Sequence, residues 1–273
     1  MHVRALFRHP VKGFTPEPLD ALTVQDDGRV QGDRVLAFRF DAASAPEPRP
    51  DGAYWPKSRG LALMDVPSLA RLRLRFDADT GRLRIEVDDA ILVEDGLTPA
   101  GRRRIEDAVT AWVLDGPDAR HLAAEGALPL RLVGDGRTSR FQDRPRGYVA
   151  LHGDGSVEAL DAASSAPIDD RRFRSNIVVA GVPPWAELGW NGRVQVGEVA
   201  FRVQQRIGRC AAIMANPDTG VRDARLLRLL TTGFAHAEPT LGILMLPEDG
   251  GGVNRVGDPV TATTVDGADL PVD

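Results

Sequence analysis

The chain has 273 residues, 42% of them hydrophobic, with a formal net charge of −5 and one cysteine, Cys210. That length gives one large domain or two smaller ones with ample core, and the mild acidity argues against nucleic acid as a partner. A lone cysteine excludes an intramolecular disulfide, no apolar run is long enough to span a membrane, and the absence of an apolar leader points to the cytoplasm.

Plentiful glycine (28) and proline (20), with 5% aromatic residues, suit many short strands and turns. Residues 3–7 read as a strand, followed by candidates at 19–24 and 35–40. The Ala/Pro-rich run 42–50 reads as a surface loop. Residues 71–76 and 82–87 alternate polar and apolar around a turn at 77–81. They form a hairpin that buries Leu72, Leu74 and Phe76 with Leu83, Ile85 and Val87, leaving its arginines solvated. Thr98 caps a helix running to about Val113, with Ile105, Ala108, Val109, Trp112 and Val113 on one side. The run Arg102, Arg103 and Arg104 reads as its solvated face.

Strands resume at 129–133 and 148–151, and a short helix follows at 156–160. Further strands are expected at 176–179, 193–196, 199–203, 241–245 and 260–265, with a helix at 223–230. The expected class is mostly β with some α (α+β). Barrel-like sheets follow because many short strands must hide their edges. A boundary near residue 120 divides a domain of residues 1–120 from one of residues 121–273.

The five histidines, His2, His9, His121, His152 and His236, are scattered without an i, i+4 pair, so no histidine-based zinc motif is present. There is no nucleophile elbow and no phosphate-binding P-loop; Gly134-Asp135-Gly136 and Gly153-Asp154-Gly155 lack the third glycine of a dinucleotide fingerprint. Asp169-Asp170 reads as a surface turn. Cys210 stands between Gly208-Arg209 and the turn Asn216-Pro217-Asp218-Thr219-Gly220. The adjoining arginine favours thiolate. Core residue, nucleophile, sulfur carrier and soft-metal ligand are all open to it.

Several segments together carry a resemblance. Arg172-Phe173-Arg174-Ser175-Asn176-Ile177-Val178-Val179 resembles the R-F-R-P-N-I-V-V segment of MOSC domains, the molybdenum cofactor sulfurase C-terminal family. Trp185 to Trp190, Val196-Gly197-Glu198-Val199, Arg209-Cys210, the Asn-Pro-Asp-Thr-Gly turn and Val256-Gly257-Asp258-Pro259-Val260 follow in the family's order. The N-terminal part is similar to the β-barrel domain that precedes MOSC in amidoxime-reducing proteins, through His9-Pro10-Val11-Lys12-Gly13 and Gly32-Asp33-Arg34.

The resemblance implies a pterin-based molybdenum cofactor (Mo-molybdopterin) between the two domains, with Cys210 as catalytic residue and metal ligand. Tungsten is an alternative metal. It implies Lys12, Gly13, Arg34, Arg174, Asn176, Gly208 and Arg209 as cofactor-binding residues. Ser175 and Gly13 depart from the family pattern, as does the cofactor loop. There Asp143, Arg144 and Arg146 are further candidates, with His152 at a nearby strand end. The implied function is reduction of small N-hydroxylated compounds. Electrons would come from a separate flavin or iron–sulfur protein, since no cysteine follows Cys210. The alternatives are a carrier of sulfur, as a Cys210 persulfide supplied by a separate pyridoxal-phosphate desulfurase, a carrier of the cofactor, or a metal-free Cys210 nucleophile.

Overall fold

A computed structural model describes residues 1–49, 52–55, 59–144, 146–264 and 270–272. The strands in its first part are β1 (His2–Arg8), β2 (Glu17–Leu19), β3 (Ala21–Val24), β4 (Ala37–Arg39), β5 (Glu47–Arg49), β6 (Gly52–Tyr54), β7 (Arg73–Asp77), β8 (Arg82–Val87) and β9 (Ala90–Gly96). Helix α1 (Pro99–Leu114) follows, then β10 (Arg131–Val133), β11 (Val149–Gly153), α2 (Asp154–Ala163) and β12 (Ile177–Ala180). The remaining elements are β13 (Arg193–Val196), β14 (Val199–Gly208), α3 (Leu226–Arg228), β15 (Thr240–Pro247), β16 (Gly252–Arg255) and β17 (Val260–Ala262). The molecule is mostly β with a few helices, as the sequence implies.

The main sheet has eight strands in the order β17-β13-β14-β15-β11-β12-β1-β2. Its apolar face joins Val3 and Leu6 to Leu151, Ile177, Phe201 and Ile243 in one core, to which β3 adds Val24. A second core packs Leu74, Phe76, Leu83 and Ile85 of the β7-β8-β9 meander against Ile105, Val109 and Val113 of α1. Pairings cross residue 120 in both directions: β1 with β12, β4 with β10, and β3 with β16.

The expected barrel closure is corrected by the hydrogen-bond pattern, which leaves the main sheet open. A single bridge, His2 to Pro259, draws β1 toward β17. Val3 N–H reaches Asp258 O at 2.8 Å and Val260 N–H reaches Met1 O at 3.0 Å.

Other differences have local causes. Arg102 is not solvated: it donates to Leu97 O (3.0 Å), Leu132 O (2.7 Å) and Gly134 O (2.6 Å), tying α1 to β10. The expected helix 223–230 shrinks to α3 and a wide turn at Leu229–Gly233, where Thr231 and Thr232 hydroxyls bond the Leu227 and Arg228 carbonyls. The expected loop 42–50 contains β5. Strand β9 was not foreseen. Val265, the end of the last expected strand, and Pro50 lie outside the described residues.

Candidate functional site

Three segments converge on a cavity of about 270 Å³. The first follows β1. Lys12 is fixed by its N–H to Leu36 O (2.9 Å), and Gly13 takes φ +82°, where an added Cβ would lie 3.1 Å from Leu61 O. Only glycine fits this turn without strain. Arg34 stands beside it, held by its N–H to His9 O at 2.7 Å. The second segment is a 3-10 turn, Asp170–Phe173, that ends on Arg174 just before β12. The third begins where β14 ends at Gly208, passes through Arg209 and Cys210, and turns into a 3-10 turn at Ala211–Met214. Gly220 anchors the following turn: at φ +71°, an added Cβ would sit 2.6 Å from Pro67 O.

Lys12, Gly13, Arg34, Arg174 and Asn176 all line this cavity, as do Gly208, Arg209 and Cys210. The loop before β11 adds Asp143, Arg144 and Arg146. Sequence reasoning did not single out Arg172, Gln142, Tyr148 or residues 62–64, which also line it. Arg172 carried a signal, since it shares the Arg174 motif; residues 62–64 carried none. His152 is not brought to the cavity. It is fully buried, with Nε2 at 3.2 Å from Asp170 Oδ1 and Nδ1 without a partner among the described residues. The Asp169-Asp170 pair is therefore more than a surface turn: Asp170 bonds both His152 and Arg4, and Asp169 pairs with Arg171.

The electrostatics of the cavity are lopsided. Lys12, Arg34, Arg144, Arg146, Arg172, Arg174 and Arg209 line it, against one carboxylate, Asp143, among the described residues. Local pairing covers part of this charge. Arg34 pairs with buried Asp33, Arg172 with Asp223 at 2.7 Å, and Lys12 with Asp143 at 2.6 Å. Arg174 instead donates to a carbonyl, Phe14 O, at 2.6 Å. Arg209 is spent on Leu241 O and Phe173 O, so it holds the cysteine loop in place.

Proton affinities follow from this crowding. Withdrawal from water, with Arg34 adding repulsion, lowers Arg174 to about 10, and burial lowers Arg209 to about 9. Both remain charged at neutral pH. Burial lowers Lys12 as well, opposed by Asp143. His9, buried next to Asp33, falls to about 3 through burial and then through Arg174, and is neutral. Burial works to raise Asp33, but Arg34 and the His9 hydrogen bonds outweigh it and hold the carboxyl well below the ordinary range. Such desolvated cations with few anions are relieved by an anionic occupant.

Backbone strain marks the same place. Arg34 (φ 51°) and Arg174 (φ 52°) both adopt the left-handed region that disfavours side chains. Asn176 is fully buried and its amide is already committed. Its oxygen accepts from Ala150 N–H (3.2 Å) and its nitrogen donates to Phe7 O (3.1 Å), so it positions β1 against β11. Cys210 is half-buried and free of disulfide. Among the described residues no histidine lines the cavity, and no cluster of three His, Cys, Asp or Glu side chains is placed to hold a metal.

In comparison with known proteins, residues 140–261 match the MOSC domain family. A molybdenum cofactor sulfurase of Caenorhabditis briggsae is 33% identical over 116 residues, which are 42% of this chain and 16% of that protein. Mitochondrial amidoxime-reducing component 1 of Mus musculus is 31% identical over 114 residues, 38% of this chain and 33% of that protein. The chain thus spans a third or less of the length of these relatives. Among solved structures, the YuaD protein of Bacillus subtilis aligns with a TM-score of 0.41 at 10% identity, over 97% of this chain and 96% of that one. YiiM of Geobacillus stearothermophilus aligns with a TM-score of 0.33 at 14% identity, over 45% of this chain and 57% of that one. The stretch that matches the MOSC domain family, residues 140–261, supplies Arg174, Asn176 and Cys210 to a cavity that Lys12 and Arg34 enter from outside it.

Proposed function

We propose that the cavity binds a pterin-type molybdenum cofactor and that the protein is an oxidoreductase acting on small N-hydroxylated compounds. One observation carries this reading: a single half-buried cysteine lines a cavity to which the described residues bring seven cations and one carboxylate. The donor set fits the group. Cys210 offers one soft ligand, and with no cluster among the described residues to complete a metal shell, the remaining ligands would come from the cofactor. Arg174, Arg34 and Lys12 would hold its phosphate, the planar forks of the two arginines suiting phosphate oxygens. Gly13 and Gly208 would let the backbone come close to it. Asn176 and Arg209 would act through position, since their polar groups bond the protein itself.

When bound, the cofactor would supply two-electron removal of oxygen from substrate. The chain's own part is to bind and orient: the cations fix the phosphate end, and the Gly208–Met214 loop presents the thiolate. Electrons would come from a separate flavin or iron–sulfur protein, and a lone free cysteine suits a reducing cytoplasm. We place the division of the chain near residue 120, with the cavity between the two parts. A second reading has Cys210 as a persulfide sulfur carrier; the half-buried cysteine among cations and the likeness to sulfurases favour it. Metal and pterin content of protein from a cofactor-sufficient host, with intact mass of Cys210, separates the two. Molybdenum and pterin support the oxidoreductase. A persulfide on a metal-free chain supports the carrier and sinks the first reading.

A further inference from the structure

Asp143 differs from the other acids near the cavity. Asp33 is buried beneath Arg34, and Asp223 neutralises Arg172 without lining the cavity. Asp143 sits on the loop leading to β11. Its side chain is 56% exposed, yet its Oδ1 lies 2.6 Å from the Nζ of Lys12, whose side chain is 9% exposed. An ammonium so withdrawn from water needs an anion nearby, and Arg34 and Arg39 both repel it. Asp143 meets that need from the solvent side. When it turns away it regains water, so its release costs little solvation, whereas Lys12 cannot follow it out.

We propose that Asp143 is the resident counter-ion of Lys12, standing where a ligand's anionic group binds, and that it selects doubly charged phosphate-type groups over single carboxylates. The inference rests on the cavity being an anion site, as in the proposed function, but not on the pterin or the metal. A carboxylate tethered to the same chain competes at an effective concentration of ~mM or above. A free monoanion offers Lys12 only what Asp143 already gives. A phosphate dianion brings a second charge and a third oxygen, which Arg174 and Arg34 can take while Lys12 exchanges partners. No covalent bond changes: the Asp143 carboxylate turns to water and a ligand oxygen takes its place. Asp143 is thus a specificity-determining residue, set against weakly charged occupants.

The test uses the full chain from a host that makes no molybdenum cofactor, titrated calorimetrically with inorganic phosphate and with acetate at pH 8 and fixed ionic strength. Wild type is expected to bind phosphate at least tenfold more tightly than acetate. Asp143→Asn should strengthen acetate binding at least tenfold and narrow that ratio. In a Lys12→Gln background, the same Asp143→Asn change should have a clearly smaller effect on either affinity than in wild type, the remainder being its pull on Arg174; Lys12→Met substitutes if Lys12→Gln does not fold by circular dichroism. Phosphate binding weakened by Asp143→Asn would make Asp143 a ligand contact and overturn the proposal. So would an unchanged ratio, or equal gains with and without Lys12, which mark a general charge effect. Wild type that binds neither anion would overturn the anion site itself, and with it the reading on which this one rests.

Discussion

Two regions of this chain are rich in arginine, and they use it in opposite ways. On the β7-β8-β9 meander, Arg71 and Arg73 pair with Asp88 and Asp89, and Arg82 and Arg84 with Glu94, at the surface. Each of these four charges has a carboxylate, and water does the rest. Around the cavity, Arg174 bonds a backbone carbonyl, burial and Arg34 outweigh the more distant pull of Asp33 and Asp143, and its own backbone is strained. Arginine count alone does not mark a site. Arginine drawn out of water without a matching carboxylate does, because that arrangement costs stability until something anionic binds.

Substitutions can break this contrast, beginning with the largest effect. Cys210→Ser should remove nearly all molybdenum while leaving more of the pterin, because the cations that hold the phosphate are untouched; elemental analysis beside pterin fluorescence reads the two separately. Arg174→Ala should weaken cofactor retention by roughly 10- to 150-fold, the equivalent of losing ~1.5–3 kcal/mol of charged hydrogen bonding. Retention equal to wild type after dialysis would contradict its role. Gly13→Ala should lower stability by roughly 1–3 kcal/mol, since the residue takes φ +82° against Leu61 O; a denaturant midpoint measures it.

Glu187 sharpens the contrast from the acid side. It is fully buried, and burial raises its carboxyl, opposed by the Ser156 hydroxyl hydrogen bond of 2.8 Å. The folded chain therefore keeps a proton that the unfolded chain has released. Stability from this group is complete below its unfolded value near 4.5 and falls as pH rises toward and through the folded one. Glu187→Gln should flatten the dependence of melting temperature on pH above 4.5, and an unaltered slope would contradict this. The smallest effect is expected on the meander. Arg73→Gln breaks an exposed pair with Asp89 and should leave both the melting temperature and cofactor content within error.

Much of this was legible in the sequence, for identifiable reasons. The Thr98 cap, with its hydroxyl oxygen 3.1 Å from Gly101 N, and the alternation of Leu74, Phe76, Leu83 and Ile85 are local signals, and the structure contains both. The motifs bearing Lys12, Arg34, Arg174 and Cys210 were visible too, and the fold gathers these residues from segments more than a hundred positions apart. Three kinds of feature were not legible. Arg102 looks like its neighbours until β10 arrives beneath it. His152 differs from a cavity residue only by where its strand puts it, which is under Asp170. The open sheet turns on how briefly the start of β1 meets the segment before β17, through one bridge, which a count of strand signals does not weigh.

The most direct measurement is molybdenum and pterin per chain, for wild type and Arg174→Ala, in folded protein from a host that makes the cofactor. Near one of each per wild-type chain, and a clear loss of both in the variant, is the expected result. A folded wild-type protein carrying neither would contradict the claim that this cavity of cations and one thiol is built for that cofactor.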